Sequence, residues 1–558
     1  MKVNSIGKGL KSSPVRHESP LLSISPFGKD FRAVLIFPGT YSIASSSLAF
    51  HQIFRLTGQH PDWSCERAVV EPSMPTRSIE LNHSLDEFDL IAFTVPFESG
   101  YLQVIEALLS SSVPVYARER GPGDPIVLMG GIAAAANPDV MAPFVDLFLL
   151  GEAEASLPAA LEKIALLLRG GSPRSTVLEE CVNLPGAYVP SIQGDQPPTI
   201  SFARTQDMDA FPPCSGWLSP ETEFDNTFLF EISRGCPCGC RFCMIRLSQK
   251  PLRAVSVDRI MELVGQLPLQ VPGVNGEMER PRIGLVGAAV ASHPQFEEIC
   301  SRLRGEGWEI TASAIEIDKV TDGILDLLAE SQKTLTLAPE RGLESERYRL
   351  GKRISDHHLL DVARKAGALG MPRLKLYFVC GIVAPEFYGS ATDRPGAPLN
   401  LPDWLSDLTD FDAYCEQIFN HEADAVADLV DRLTEVFQPQ GQPGTIGVTC
   451  SPFIPKPHTP WEAWPMAAEK GLKQLDRILK KKLGQKPRVR YRPISAWESI
   501  QQGILSQGGR NLAPYLVNMV RFPEERRRIV REIIETSLVQ IHERRWQNQD
   551  SPWAFIHL

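Results

Sequence analysis

Four cysteines lie within eight residues of this chain, and three of them have a spacing that suits a metal cluster. Cys236, Cys240 and Cys243 follow the pattern C-x-x-x-C-x-x-C. Three thiolates on one short loop can hold three corners of a cubane iron–sulfur cluster. The fourth iron then lacks a protein ligand, and an open coordination position is typical of a metal centre that carries out chemistry.

Two simpler interpretations of these cysteines are a zinc-binding loop and a set of buried free thiols. A structural zinc site usually takes four ligands, which often come as two C-x-x-C pairs. The chain has no second pair, because its other cysteines are scattered singly. The cluster is therefore the favoured interpretation. Cys238 is expected to be a bystander, or a thiol packed under the loop, rather than a fourth ligand.

The residues around the cysteines predict a strand that leads into a loop. Residues 228–233 are apolar and β-prone, and they end just before the first cysteine. Glycines and a proline between the cysteines favour turn conformations that bring backbone N–H groups near the cluster sulfurs. This motif, with Phe242 just before the last cysteine, resembles the radical S-adenosylmethionine (SAM) superfamily. The resemblance implies a 4Fe-4S cluster on the three cysteines, with SAM bound to the open iron.

Length and composition narrow the class of protein. A chain of 558 residues is too long for one core and predicts two to four domains. The net charge of −10 disfavours broad electrostatic binding of nucleic acid. We expect no membrane span, because no apolar run is long enough and the start lacks a secretory apolar segment. Unpaired cysteines without a framework spacing indicate a reducing compartment, so the protein is expected to be cytoplasmic.

The first 170 residues are predicted to form an arm and a sheet domain. Residues 1–30 are polar and aperiodic and are expected to be a loosely docked N-terminal arm. Over residues 31–170, short apolar runs alternate with amphipathic segments, which predicts an α/β, doubly wound (Rossmann-like) parallel sheet with helices on both faces. The predicted strands are residues 33–37, 68–70, 90–95, 125–129 and 147–150, and the predicted helices are residues 47–56, 101–110 and 154–168.

The loops at the carboxyl ends of these strands are rich in small residues, and ligands of such sheets bind there. The order of elements and these loops resemble the cobalamin-binding-like domain that precedes the radical core in one large radical SAM class. The resemblance implies cobalamin (B12) binding by Pro38, Thr40, Tyr41, Gly130, Gly131 and Gly151. The D-x-H-x-x-G motif of other cobalamin domains is absent, since His51, His60 and His83 lie in other contexts. A bound cobalamin would therefore lack a histidine on cobalt; the alternative is a domain that no longer holds a cofactor.

A second series of strands and helices follows a connector. Residues 171–225 are rich in Pro, Ser and Asp and are expected to link two domains. Residues 226–465 are predicted to be the radical SAM core, and the resemblance implies a partial (β/α)6 barrel open on one side. Residues 466–558 are predicted to form a helical C-terminal domain, and residues 387–423 an acidic, aromatic insertion that could cover the open side. The predicted core strands are residues 228–232, 282–286, 309–313, 334–337, 374–379 and 445–449, and the predicted helices are residues 257–266, 294–306, 322–331 and 356–369.

Strand ends at the carboxyl face of a (β/α) barrel carry its chemistry, so the resemblance implies SAM contacts there. The implied SAM-binding residues are Phe242, Gly287, Ser313, Glu340, Arg347 and Gly381. The chain departs from its relatives at two places. The Gly-Gly-Glu motif is Gly-Ala-Ala here and ends at Ala289, so it lacks the acid. Glu316 stands where relatives often carry an arginine near the SAM carboxylate.

The sequence A-P-E-R-G at residues 338–342, with S-E-R at residues 345–347, resembles the A-P-E-x-G-S-E-R segment of the same class. By this resemblance Glu340 contacts the ribose hydroxyls or the amino group of SAM. Arg347 or Arg341 would pair with the carboxylate. The alternative for Glu340 is to cap the next helix or to pair with a lysine.

One further segment, residues 451–461, is also shared with these relatives. Lys456, His458 and Trp461 would line the mouth of the barrel. A rigid, proline-rich crossover without chemistry is an equally good interpretation.

These patterns predict a radical SAM enzyme, with methyl transfer from cobalamin to an unactivated carbon as the first hypothesis. The alternatives are a cobalamin-free rearrangement or cyclisation, methylthio transfer, and, outside enzymology, an iron–sulfur redox-sensing module. Methylthio transfer is disfavoured because Cys65 is the sole cysteine of the predicted sheet domain. The expected partners are an organic substrate of unknown identity and an electron donor, either a reductase or a flavodoxin or ferredoxin.

Overall fold

The computed structural model describes most of the chain, including the cysteine loop and nearly all of both predicted sheets. Ser313, which the resemblance places near SAM, lies outside the described residues, as does most of the stretch between residues 390 and 409. The described residues are 17–72, 74–195, 197–245, 250–273, 275–312, 315–389, 402, 405, 410–442, 444–542, 551 and 553–557.

The N-terminal half is a six-stranded sheet, and the predicted doubly wound α/β fold is confirmed. Five strands are parallel in the order β2-β1-β3-β4-β5, and β6 pairs with β5 in the antiparallel sense. The strands are nearly continuous runs of buried apolar residues, as expected when helices cover both faces. The strands are β1 (Phe31–Phe37), β2 (Trp63–Val69), β3 (Leu90–Thr94), β4 (Ile126–Gly130), β5 (Leu147–Leu149) and β6 (Ala187–Tyr188).

Four helices of the N-terminal half connect these strands. Three of them lie close to the predicted helices, because amphipathic periodicity is a local signal. The fourth, Arg174–Cys181, lies within the predicted connector and was not predicted. A short helical turn at Ile132–Ala136 follows β4 and supplies four buried alanines beside the carboxyl edge of the sheet. The helices are α1 (Leu48–Gln59), α2 (Gly100–Leu109), α3 (Ala153–Arg169) and α4 (Arg174–Cys181).

The second half is a partial barrel of parallel strands. Two hydrogen-bonded groups, β7-β8-β9 and β10-β11-β12-β13, form it. The side chains of Ser331 and Gln332, just before β10, donate to carbonyls of β9 and so join the two groups. The strands are β7 (Thr227–Arg234), β8 (Arg282–Gly287), β9 (Ile310–Ala312), β10 (Thr334–Glu340), β11 (Arg373–Cys380), β12 (Thr445–Pro452) and β13 (Val489–Arg492).

Helices cover the outer face of the barrel, and several start at side-chain caps. Ser256, Thr321, Ser355 and Asp410 each accept a hydrogen bond from a backbone N–H in the first turn that follows. The first three caps precede helices whose starts were predicted at residues 257, 322 and 356, whereas the helix after Asp410 was not predicted. The helices are α5 (Val257–Val264), α6 (Phe296–Gly305), α7 (Asp322–Ala329), α8 (Glu344–Leu350), α9 (Asp356–Ala368), α10 (Phe411–Val436) and α11 (Glu469–Leu483).

Two features of the barrel differ from the sequence prediction. Helix α10 is the crossover between β11 and β12, so residues 411–423 belong to a barrel helix rather than to an insertion. Strand β13 lies in the part predicted to be helical, and it adds a seventh parallel strand beside β12. Its residues, Val-Arg-Tyr-Arg, are too few to show a period, so only pairing with β12 reveals the strand.

The last helices join the two halves of the molecule. Helix α13 packs against α2 of the N-terminal half. One buried core is continuous from one face of the N-terminal sheet to the barrel, and a second core covers the other face. No helix within the described ranges is long and apolar enough to cross a bilayer. The three helices are α12 (Ala496–Gln507), α13 (Ala513–Arg521) and α14 (Arg526–Glu535).

Candidate active site

The cysteine loop leaves the carboxyl end of β7, which is the position that the sequence predicts for it. Cys240 is buried, while Cys236 and Cys243 are half-buried. The sulfurs of these three cysteines do not all lie within 4.8 Å of one another. Within the described residues, the ligand atoms of His60, Asp62 and Glu162 form the one group of three that is as compact as that. The three thiols are therefore too widely spaced for one small ion, whereas a cubane cluster takes ligands at separate irons.

The four thiols of the loop are not equivalent. A hydrogen bond with the Cys238 thiol lowers the pKa of Cys236 to about 7. Burial raises the pKa of Cys240 to about 12. The same hydrogen bond to Cys236 raises the pKa of Cys238. Cys238 thus lies beside Cys236, and its hydrogen bond favours the thiolate form of Cys236. Iron would deprotonate the thiols that it binds, as metal ions do.

The end of helix α8 holds the cysteine loop in place. The backbone N–H of Arg241 donates to the carbonyl of Leu350 at 2.9 Å. The next residue, Gly351, ends α8 in the left-handed conformation with φ 99°. A Cβ atom on Gly351 would lie 2.1 Å from the carbonyl oxygen of Gly239. Glycine is required at this position both by its φ and by the contact of two backbones.

Glu340, at the end of β10, lies beside the same loop. Its carboxylate accepts a hydrogen bond from the Lys352 amine at 2.8 Å, and that amine also donates to the carbonyl of Ala338 at 2.6 Å. Burial raises the pKa of Glu340, and Lys352 opposes the rise. Glu340 is therefore paired with a lysine, the alternative that the sequence left open. Its backbone has φ 68°, a strained conformation for a non-glycine residue that is common at functional sites.

The end of β8 forms a close backbone contact with β7 where the resemblance places the SAM amino group. A Cβ atom on Gly287 would lie 2.9 Å from the carbonyl oxygen of Ser233. The Ser233 hydroxyl is buried and has no hydrogen-bond partner among the described residues. A buried polar atom without a partner is costly unless a ligand satisfies it. This hydroxyl therefore fits a polar group of a cosubstrate held next to the cluster loop.

The arginines expected to bind the SAM carboxylate have other partners. Arg347 is completely buried, and its guanidinium donates to the carbonyls of Ile354, Arg341 and Gly342 and to Asp356. All of its nitrogens are thereby used within the protein. The structure gives Arg347 the role of fixing the turn after β10 rather than that of a SAM ligand.

Arg341 belongs to a buried network that the sequence analysis did not find. Its guanidinium contacts Glu346 at 2.7 Å and Glu422 at 2.6 Å. Glu422 also accepts from the backbone N–H of Gly381 and from the Tyr388 hydroxyl, each at 2.7 Å. Burial opposes charge on Glu346, but Arg341 outweighs it and lowers the pKa of Glu346 to about 2. A usable signal was the position of Glu422, an acid on the apolar stripe of α10.

The contacts of Glu316 explain why a glutamate stands where relatives often carry an arginine. Its carboxylate accepts hydrogen bonds from the backbone N–H of Ala291, at 3.1 Å, and from the Ser292 hydroxyl. These contacts tie the loop after β9 to the loop after β8. An arginine here could not make them, because it offers no acceptor. Phe242 is half-buried and packs against the barrel core.

The residues predicted for cobalamin do not form a single cradle at the edge of the N-terminal sheet. Tyr41 is buried and donates its hydroxyl to Glu18 of the N-terminal arm. A Cβ atom on Gly131 would lie 2.5 Å from the Val95 carbonyl oxygen. On Gly151 it would lie 2.4 Å from the carbonyl oxygen of Ala203 in the connector. These glycines allow the chain to pack closely on itself, and both also line the cavity between the sheet edge and the barrel.

The other three residues predicted for cobalamin do not line the cavity between the sheet edge and the barrel. The ring of Pro38 packs against Gly100, since a Cβ atom on Gly100 would lie 2.9 Å from that ring. Thr40 precedes a short helix without capping it through its side chain. Gly130 pairs with Thr94 in the sheet.

A cavity of about 260 Å³ does lie between the sheet edge and the barrel, but its charged groups pair with one another. Arg234 at the end of β7 contacts Glu154 at 3.1 Å, Glu152 at 3.1 Å and Glu231 at 2.6 Å. Arg253 also contacts Glu152, at 2.6 Å. No buried polar side chain described in this cavity lacks a partner. The charged side chains of the lining are therefore committed to one another rather than free to bind the amide side chains of a corrin.

The segment after β12 crosses to the N-terminal half. Lys456 pairs with Glu98, to which Gln502 also donates at 3.0 Å. His458 contacts the carbonyl of Ala136 at 3.1 Å, and burial lowers the pKa of His458 to about 4. These contacts give Lys456 and His458 a role in joining the two halves of the molecule. Trp461 is buried and stacks on Trp464, with ring centroids 4.3 Å apart.

Replacing Arg234 with Ala is expected to destabilise the protein by about 3–5 kcal/mol, because it leaves buried carboxylates without their counter-charge. Burial opposes its charge, yet Glu231 and Glu154 raise the pKa of Arg234 well above its usual range. The thermal unfolding midpoint of the purified variant measures the effect. The matched control is Arg528→Ala, which removes an exposed arginine and should leave the midpoint unchanged. Equal midpoints for both variants would contradict the expectation.

Comparison with known families agrees with the cysteine loop and the barrel around it. Residues 230–384 match the family model described as "Radical SAM superfamily". This chain belongs to the radical SAM superfamily. Residues 49–190 match a second model, "Radical SAM proteins, N-terminal", which covers much of the N-terminal sheet. The radical SAM match begins in β7 and ends just after β11, so it contains the three cysteines and Glu340.

Three proteins are similar to this chain in sequence or in fold. The uncharacterized protein MJ0966 of Methanocaldococcus jannaschii is 26% identical over 484 residues, which are 86% of this chain and 90% of that protein. The cobalamin-dependent SAM radical enzyme OxsB, solved with aqua-cobalamin and SAM, has 13% identity and a TM-score of 0.43. The match covers 74% of this chain but only 57% of OxsB. Streptococcus suis SuiB, solved with its precursor peptide SuiA, has 10% identity, a TM-score of 0.29 and about half of each chain aligned.

Proposed function

We propose that this chain is an enzyme that cleaves SAM reductively at a 4Fe-4S cluster on Cys236, Cys240 and Cys243. The observation that carries the proposal is the three-cysteine loop at the carboxyl end of β7, inside a barrel of the radical SAM superfamily. When bound, the cluster supplies one electron to SAM, which yields a 5′-deoxyadenosyl radical able to remove a hydrogen atom from a substrate carbon. The protein contributes position and exclusion of water.

Three features of the strand ends support a SAM site next to the loop. The unpaired Ser233 hydroxyl is available to a polar group of SAM, and Gly287 lets β7 and β8 pack closely enough to place that hydroxyl beside the end of β8. The strained Glu340, held by Lys352, presents a carboxylate near Cys240 at the mouth of the barrel. With Arg347 and Arg341 used internally, the SAM carboxylate would depend on the open iron and on backbone N–H groups.

The outer side of the cysteine loop supports an acidic electron donor such as a flavodoxin or a ferredoxin. A groove there is lined by Cys238 and Gly239 of the loop together with several basic side chains. Arg241, Lys319 and Arg353 are exposed, and none of the three has a side-chain hydrogen bond or ion pair within the described structure. A positive rim beside the cluster would steer a negatively charged partner to it.

The direct test is anaerobic purification and reconstitution, followed by incubation with SAM and a strong reductant. We expect about four irons and four sulfides per chain, as a cubane requires, and formation of 5′-deoxyadenosine and methionine. Intact SAM after incubation with a fully loaded, reduced cluster would contradict the proposal. It would favour the redox-sensing alternative, because a sensor has no use for SAM cleavage.

Methyl transfer through cobalamin is the second candidate. The cavity between the sheet edge and the barrel favours it, while the mutual pairing of Arg234, Glu152 and Glu154 in that cavity counts against it. Corrinoid content after reconstitution with cobalamin separates the candidates. Bound corrinoid, a methylated product and S-adenosylhomocysteine would support methyl transfer to an unactivated carbon. Protein without corrinoid that still forms 5′-deoxyadenosine would support a cobalamin-free rearrangement or cyclisation.

A further inference from the structure

The concave face of strands β10 to β13 carries a group of cations that the SAM chemistry does not use. Paired residues in a parallel ladder project from the same face of the sheet. Thr336, Lys375, Gly447 and Arg490 form one such row across the four strands. The face opposite to this row is the buried apolar one, made of residues such as Leu376.

A second row lies nearer to the carboxyl ends of the strands, where the cluster loop is. Tyr377 pairs with Thr449, which pairs with Arg492 on β13. Ser451, two residues further along β12, is also on this face and exposed. The inside of the barrel therefore presents hydroxyl groups together with a lysine and two arginines, below the proposed SAM site.

These cations are not neutralised within the described structure. Lys375, Arg490 and Arg492 are exposed, and the structure shows no hydrogen bond or ion pair for any of them among the residues it describes. The amine of Lys375 lies 5.1 Å from the centroid of the Tyr377 ring. Glu340 is the one acid in strands β10 to β13, and it is already paired with Lys352.

Protection of a sheet edge explains only part of this pattern. Basic residues on an edge strand deter pairing with other chains, and β13 is an edge strand. Lys375, however, lies on β11, which has a hydrogen-bonded strand on each side. A lysine on an inner strand does not protect an edge. An exposed amine on the concave face of an inner strand points instead to a ligand of opposite charge.

We propose that the lumen of this barrel binds the anionic group of the substrate, a phosphate or carboxylate on a small organic molecule. This inference rests on the proposed function, because it treats the lumen as the substrate site next to SAM. Arg490 and Arg492 provide two planar guanidinium groups, which bind phosphate and carboxylate oxygens in pairs. Lys375 adds a point charge, and the hydroxyls of Thr449 and Ser451 add hydrogen bonds.

The test is a ligand-detected NMR titration of the reconstituted protein with three small aromatic probes. Phenyl phosphate and benzoate carry the two anionic groups, and benzamide is the neutral match. We expect phenyl phosphate, benzoate or both to bind, and benzamide to bind at least about tenfold more weakly. The double variant Arg490→Gln/Arg492→Gln should lower the affinity for the anion by a similar factor. Lys375→Gln should weaken it several-fold. Which anion binds more tightly identifies phosphate or carboxylate as the preferred group.

The matched control is Lys480→Gln/Lys481→Gln, which removes two exposed cations from α11 outside the lumen and should leave the affinity unchanged. The inference is overturned if wild-type protein binds neither anion, if benzamide binds equally well, or if the two lumen variants keep wild-type affinity. SAM cleavage by the wild-type protein is measured in parallel. Its failure together with intact anion binding would reject the proposed function alone, and the reverse result would reject the lumen site alone.

Discussion

Replacing any one of Cys236, Cys240 or Cys243 with Ala is expected to abolish the cluster and to lower 5′-deoxyadenosine formation by more than about a hundredfold. Each thiolate would hold one iron, and even residues that only support a metal ligand typically contribute about 10- to 100-fold. The measurements are iron and sulfide per chain, the electron paramagnetic resonance signal of the reduced protein, and 5′-deoxyadenosine by chromatography.

Cys238→Ala is the matched control, because it removes a thiol from the same loop. Cys238 is not expected to bind iron, and its loss removes only a hydrogen bond to Cys236, whose thiol iron would itself deprotonate. The variant should therefore keep its iron and most of its activity. If Cys238→Ala loses the cluster as completely as the other three, the assignment of three ligands and an open iron is wrong.

Gly351→Ala is expected to reduce cluster occupancy strongly without touching a proposed ligand. An alanine in the left-handed conformation costs about 1–2 kcal/mol. The new methyl group would in addition lie 2.1 Å from the carbonyl oxygen of Gly239, which is backbone and cannot swing aside. The cysteine loop must then move away from α8. We expect the iron content to fall by at least about half and the unfolding midpoint to fall, both measured after the same reconstitution.

Gly171→Ala separates the contact from the backbone strain. Gly171 also has a positive φ, of 70°, but no heavy atom lies within 4 Å of the position of its Cβ. This variant should share the cost of the left-handed conformation and keep the full cluster. If both variants load iron equally, the contact between Gly351 and Gly239 does not position the cysteine loop.

The features that could be predicted from the sequence are those encoded over short distances along the chain. The cysteine spacing, the apolar strand before it and the alternation of strands and helices each depend on a few neighbouring residues. Helix starts were also predictable, since caps such as Ser355 act on the turn that follows them. Strand β13 and helix α10 were missed because the first is too short to show a period and the second starts within an acidic stretch.

The partners of the charged residues could not be predicted in the same way. Spacing and resemblance suggested that Arg347 faces SAM, yet its donors end on the carbonyls of a turn and on Asp356. Arg234 pairs with Glu154, which is 80 residues away in the chain. A long charged side chain reaches whichever partner the packing brings near, and the desolvation cost of burial makes that partner obligatory.

The sequence by itself therefore determined the superfamily, the alternation of elements and the location of the cysteine loop, because each is a pattern of adjacent residues. Only the tertiary structure decided that Gly351 supports this loop, that Glu340 is paired with Lys352, and that the edge of the N-terminal sheet is covered by the arm and the connector. It also brought the cations of β11 and β13 onto one concave face. These are contacts between segments far apart in the chain, and they form only when the two halves pack and bury their apolar faces.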